Sequence, residues 1–127
     1  MAIAGLVTVP DRGALLLARE SEEAVGVAVL AYIWTLEHGG LVAWLDELYV
    51  VPWQRCRGTG RALLDRALAE AGARGCVAIE LEVDREHARA ESLYERAGFG
   101  RLPRSRWSLT LPKSASPGSK PRTPGGT

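Results

Sequence analysis

The stretch from Leu45 to Leu64, L-D-E-L-Y-V-V-P-W-Q-R-C-R-G-T-G-R-A-L-L, admits few folds. Its first part reads as a strand: Leu45, Leu48, Tyr49, Val50 and Val51 are apolar, β-branched or aromatic, and Pro52 closes the run. A loop with Arg55, Arg57, Gly58 and Gly60 follows. Leu64 and Leu68 then stand one helical turn apart, with Ala62, Ala67 and Ala71 around them, which predicts a helix. A strand that turns through glycines into a helix start is a construction suited to phosphate. The first-turn N–H groups of a helix lack partners, and its dipole places partial positive charge there. Gly58 and Gly60 carry no Cβ, so a diphosphate can come close to the backbone, and Arg55, Arg57 and Arg61 add charge-assisted bonds. Two familiar phosphate loops fit badly. Gly60 is followed by Arg61 where a Walker loop needs Lys and Ser or Thr, and position 63 is Leu where the dinucleotide fingerprint needs its third glycine.

The rest of the chain predicts what this unit sits in. An apolar run, Ile3 to Val9, is broken by Pro10, Asp11 and Gly13. Ala14 to Arg19 reads as a strand and Ser21 to Ala24 as a turn. Val25 to Thr35 is apolar on both faces and should be a central strand covered on both sides. His38-Gly39-Gly40 marks a tight turn, and Leu41 to Val51 returns, giving an antiparallel meander. The helix from about Gly58 to Ala73 stops at Gly72 and Gly75. Cys76 to Asp84 alternates, with Val77, Ile79, Leu81 and Val83 one way and Ala78, Glu80, Glu82 and Asp84 the other. Strand, crossover helix and strand make a right-handed parallel βαβ unit. A helix over Glu86 to Ala97 ends at Gly98, and Leu102 to Leu111 is expected to give one or two closing strands with Trp107 and Leu109 inward. The predicted class is α/β, an α+β mixed sheet with helices on both faces.

At 127 residues the chain is one domain, 1–111, followed by a Pro/Gly/Ser-rich tail at 112–127 expected to be disordered. No apolar run is long enough to span a membrane, and no basic segment leads into a signal-like core. Cys56 and Cys76 form no spaced framework, so a disulfide is not expected and the cytoplasm is the default compartment. With a net charge of +1 there is no nucleic-acid footprint. All fifteen acids lie at or before Glu95, so the folded part leans acidic, which suits a cationic amine better than a phosphorylated substrate. No metal-ligand spacing stands out.

The spacing Arg55-x-x-Gly58-x-Gly60 resembles the acetyl-CoA signature, [Gln/Arg]-x-x-Gly-x-[Gly/Ala], of the GNAT superfamily of N-acetyltransferases. A second stretch, Val83 to Phe99, is similar to the family's later motif through Ala90, Leu93, Tyr94, Glu95, Gly98 and Phe99. The resemblance covers about Ala14 to Leu111. It implies acetyl transfer from acetyl-CoA to a primary amine of a small molecule or peptide by direct attack. The loop amides at Arg57, Gly58, Thr59, Gly60 and Arg61, with Arg55 and Cys56 beside them, would hold the diphosphate. Cys56 stands where relatives often have Gly. Tyr49, Val50 and Val51 would offer a free strand edge to pantetheine and an N–H to the thioester oxygen. Tyr94 matches the tyrosine that protonates the departing thiolate, and Asp46 or Glu47 matches a strand carboxylate acting as base, with Glu47 preferred and Glu80 and Glu82 as competitors. His87 stands where relatives have an Asn that contacts pantetheine. The family's opening strand and two helices have no room here, since about a dozen residues precede the first meander strand. The bare face this leaves predicts self-association as a homodimer. The alternatives are an acyl-CoA-binding module without catalysis, or one half of an assembly whose acceptor side comes from a partner.

Overall fold

The computed structural model describes residues 1–9, 12–84, 86 and 88–113. Its elements are β1 (Ala2–Val9), β2 (Gly13–Glu20), β3 (Glu23–Thr35), β4 (Gly40–Val50), a 3-10 turn (Pro52–Gln54), α1 (Thr59–Ala73), β5 (Ala78–Glu80) and α2 (Ala90–Arg96). One sheet runs in the order β1-β2-β3-β4-β5. The first four strands pair antiparallel, and β5 pairs parallel to β4 through the α1 crossover. The expected meander followed by a βαβ unit is therefore present, with β3 in the middle.

Pairing register assigns the two faces. Leu16 lies opposite Ala28, Ala28 opposite Leu48, and Leu30 opposite Leu45, all on the face that α1 covers. Leu16, Ala18, Ala28, Leu30, Ala43 and Leu45 form the core there with Leu63, Leu64, Ala67 and Ala71 of α1. Small residues on β3 let the helix approach: a Cβ on Gly26 would stand 2.8 Å from Leu63 Cδ1 and 3.1 Å from the Tyr49 carbonyl oxygen. The helix ends at Ala73, and Gly75 turns the chain at φ 87°.

Several expectations need correction. An N-terminal strand exists, because the apolar run at 3–9 pairs along β2 as β1; only residues 10–12 separate β1 from β2, so no helices intervene. The helices do not cover both faces. Leu93 of α2 lies beside Gly60 and Val50 and joins the same core as α1, together with Tyr94, Ala97 and Phe99. Among the described residues the opposite face, with Leu15, Leu17, Val27, Val29, Ala31, Ile33, Trp44, Glu47 and Tyr49, carries no helix. Apolar residues on both sides of β3 thus do not bring cover on both sides, and Ile33 remains 57% exposed. The strand expected over 76–84 shrinks to Ala78–Glu80, because its only partner strand diverges beyond Trp44. The second helix begins at Ala90 rather than Glu86.

The largest difference is at the end of the chain. Residues 101–113 form no strand and are exposed, with Trp107 and Leu109 bare rather than inward. Alternation states which face a strand would present, and no ladder pairs 101–113 with another strand among the described residues. The 112–127 tail lies outside the described residues from 114 onward.

Candidate active site

The site grows from an irregularity in β4. Leu45 faces Leu30 and Glu47 faces Val29, so Asp46 is an extra residue, a bulge that bends the strand. Parallel pairing with β5 covers Val42 to Trp44 and Ala78 to Glu80 and stops just before that bulge. Beyond it, Leu45 to Val50 have no strand partner on the β5 side among the described residues. The two strands splay into a gap.

One main-chain group in that gap can be assigned. Val51 donates its N–H to the Val25 carbonyl at 2.9 Å, so it is committed to β3. In an antiparallel ladder alternate residues direct both main-chain groups to the same side, so Val50 turns its N–H and C=O away from β3 and into the gap. The Arg55 side chain agrees, since its Nε donates to the Val50 carbonyl at 2.9 Å. Of the three strand positions expected to offer an amide, Val50 is the one that does so by geometry. That distinction needed the register and was invisible in the residue string.

The loop that follows directs backbone toward the same gap. Cys56 at φ 62° and Gly58 at φ 84° are both left-handed, which reverses the chain twice before α1. Gly58 is the N-cap of α1, and no side chain caps the helix start. Its carbonyl accepts from the Ala62 N–H at 3.0 Å, so the helix is under way while the first-turn amides face outward. Thr59 is buried and offers its backbone only. The three arginines have separate tasks. Arg55 holds Val50 and stacks 5.6 Å from the Tyr49 ring centre, and Arg61 pairs with Asp65 at 2.9 Å. Arg57 is exposed and has no ion pair among the described residues, which leaves it for an incoming anion. An uncapped helix start, two left-handed residues and the exposed Arg57 guanidinium thus lie together at the start of α1.

The far wall of the gap is α2. Tyr94 is half-buried, stacked edge-on against Phe99 at 5.7 Å, and held by its own backbone, whose carbonyl accepts from the Phe99 N–H at 3.0 Å. Burial pushes its hydroxyl above the ordinary tyrosine range, and the nearby Glu47 carboxylate pushes the same way. Tyr94 is therefore a protonated donor at neutral pH. His87 lies outside the described residues.

The carboxylates sort by partner. Glu80 meets His38 Nε2 at 3.6 Å, and Glu82 meets Arg106, whose guanidinium also lies 5.0 Å from the Trp44 ring centre. Glu47 and Asp46 are exposed with no cation partner among the described residues. Glu47 is on the open face and Asp46 is the bulge residue. His38 is an exposed turn residue whose N–H donates to Thr35 Oγ1 at 3.3 Å. Among the described residues no cluster could hold a metal ion. Among the described residues no helix is long and apolar enough to cross a membrane.

Splayed strands, an open helix start and a half-buried tyrosine meet at one end of the sheet. The Acetyltransferase (GNAT) family matches residues 4–99, and the chain belongs to that family. It is 40% identical to a mycothiol acetyltransferase of Beutenbergia cavernae, over 71% of this chain and 36% of that protein. It is 32% identical to YhfO, an uncharacterised N-acetyltransferase of Bacillus subtilis, over 67% of this chain and 57% of that one. The chain thus spans between about a third and three-fifths of the length of these relatives. An aminoglycoside N-acetyltransferase solved with CoA shares the fold at a TM-score of 0.70 and 20% identity, covering 80% of this chain and 78% of that one.

Proposed function

We propose that this chain transfers an acetyl group from acetyl-CoA to a primary amine of a small molecule or peptide by direct attack. The observation that carries the reading is the gap itself: a free β4 edge running from the Asp46 bulge into an uncapped, arginine-flanked helix start. The loop amides from Arg57 to Arg61 hold the diphosphate, and the Val50 N–H meets the thioester oxygen as it gains charge. Glu47, unpaired and facing the open side, takes the proton that the attacking ammonium must lose, directly or through water. Tyr94 donates its proton to the departing thiolate. The acceptor approaches the open face, where acidic side chains favour a cation.

Calorimetry with acetyl-CoA tests the cradle. Wild type should bind, and Gly60→Glu, which puts bulk and negative charge into the loop, should not. Normal binding by that variant would overturn the loop assignment. Thiol release with polyamines, aminoglycosides and lysine peptides then tests transfer.

A second reading has its own support. The face beside Glu47 has no helical cover among the described residues, which suits an acyl-CoA-binding module or an acceptor side completed by another subunit. Binding of acetyl-CoA with no free CoA from any amine would favour it. The same bare face supports a homodimer as the working unit, and the motifs and absence of a cysteine framework support the cytoplasm as its place.

A further inference from the structure

We propose that the acceptor amine also carries a carboxylate, as a free amino acid does, and that Arg55 is the residue that reads it. The inference rests on the acetyl transfer proposed above and narrows its acceptor. What carries it is a pair of opposite charges at neighbouring positions of one sheet face. Glu47 and Tyr49 are two residues apart on β4, so both lie on the open face, about 6–7 Å from each other along the strand. Glu47 has no cation partner among the described residues. The Arg55 guanidinium lies over the Tyr49 ring, 5.6 Å from its centre, and its Nε donates to the Val50 carbonyl at 2.9 Å. Those two contacts hold the cation at the rim where the gap opens onto that face.

Among the described residues Nε is the only Arg55 donor with a protein acceptor, so both terminal nitrogens are left to bind. Such a planar fork matches a carboxylate through two parallel bonds, and the stack and the Nε bond set its plane in advance. No ion pair joins Glu47 to Arg55. An acceptor with an ammonium alone would answer Glu47 and meet a like charge at the rim, whereas a zwitterion answers both groups. The reacting centre lies beside the same acid, since the Glu47 carboxylate acts on the Tyr94 hydroxyl. The diphosphate is the other anion on offer, but Arg55 is turned to the β4 edge, and Arg57 at the loop is exposed without an ion pair among the described residues. Towards the other end of the face Arg106 stacks 5.0 Å from the Trp44 ring centre, and Glu82 pairs with it. Of the two arginines stacked on β4 rings, Arg55 is the one whose charge is left for a ligand.

Thiol release from acetyl-CoA on the full chain, with a panel of free amino acids against their carboxamides, tests this. The carboxamide keeps the shape and loses the charge. A carboxylate favours the protonated amine beside it, so a site blind to that group would turn the carboxamide over faster. Wild type should instead favour the acid at least about tenfold in kcat/KM, and Arg55→Gln should bring that ratio to one or below, mainly through KM for the acid. Arg55→Lys, which keeps the charge and loses the fork, should fall between them. An amine without a carboxylate turned over as fast as the best acid overturns the inference and leaves acetyl transfer standing, and so does a preference that survives Arg55→Gln. Binding of acetyl-CoA with no turnover of any amine overturns the transfer and the inference together. Should Arg55→Gln lose its fold or its cofactor, inhibition of wild type decides. Carboxylates that lack the amino group should then compete with the amino acid while their amides do not, and equal inhibition by the two overturns the inference.

Discussion

Cys56 shows how backbone conformation at a single position reports on a site. Its φ of 62° lies where a side chain costs about 1–2 kcal/mol, while glycine adopts it freely and loses some of that gain to its looser unfolded chain. Cys56→Gly should therefore raise stability by about 0.5–1 kcal/mol in urea unfolding and leave acetyl-CoA binding intact. Tyr94 carries the chemical prediction. Tyr94→Phe should slow turnover roughly ten- to a hundredfold with cofactor affinity nearly unchanged, measured by steady-state kinetics beside calorimetry. The folded hydroxyl ionises above the ordinary tyrosine range, so its contribution to stability is complete below the unfolded value and is lost as pH rises through the folded one. Denaturant midpoints on the alkaline side should accordingly fall less steeply in Tyr94→Phe than in wild type. Tyr32, also raised by burial with Glu70 and Cys76 behind it, titrates in both proteins and cancels from that comparison. The chain's motifs pointed to Tyr94 and to the loop residues one by one. They preferred Glu47 to Glu80 and Glu82 by position alone; the partners of the two competing carboxylates, His38 from a turn and Arg106 from the C-terminal segment, were not legible in the sequence.

Elements with a partner were readable, and those without one were not. β3, β4 and α1 follow from apolar periodicity because each meets a neighbour that rewards the pattern. Cys76 to Asp84 and Trp107 to Leu111 both alternate, yet the first pairs over Ala78–Glu80 only and the second has no strand partner among the described residues. Alternation states which face a strand would present, while a ladder also needs a partner backbone at about 4.8 Å. The bulge at Asp46 was likewise hidden, since an inserted residue leaves no mark on composition and shows only in register. Close contact between α1 and the sheet gives the element-scale test. A methyl group at Gly26 would press on Leu63 Cδ1 from 2.8 Å and on the Tyr49 carbonyl from 3.1 Å, with α1 and β4 both held by other packing. Gly26→Ala should cost about 1–3 kcal/mol of stability in denaturant unfolding. It should also weaken acetyl-CoA binding, because Leu63 lies in the first turns of the helix whose start is the proposed cradle.

At the scale of the molecule, the sheet is firm on its β2–β4 side and loosely tied beyond the gap. β5 holds on by three paired residues, and among the described residues between it and α2 there is no strand or α-helix. A ligand lying along Val50, under the α1 start and against Tyr94 would bridge β4, α1 and α2, which otherwise meet through few side chains such as Leu93 beside Gly60. Binding to the folded state alone stabilises it by about 2.7 kcal/mol at a hundred times the dissociation constant. For a domain of this size that is a rise in Tm on the order of 10 °C. Differential scanning fluorimetry should show this shift with acetyl-CoA in wild type and in Glu47→Gln, since Glu47 lies on the open face, away from the proposed diphosphate loop. Gly60→Glu should show none. Acetylpantetheine, which keeps the extended arm and lacks the diphosphate, should give a much smaller shift, because most of the binding charge sits at the helix start. An equal shift from both ligands would place the affinity along the β4 edge and remove the amides of 57–61 from their role.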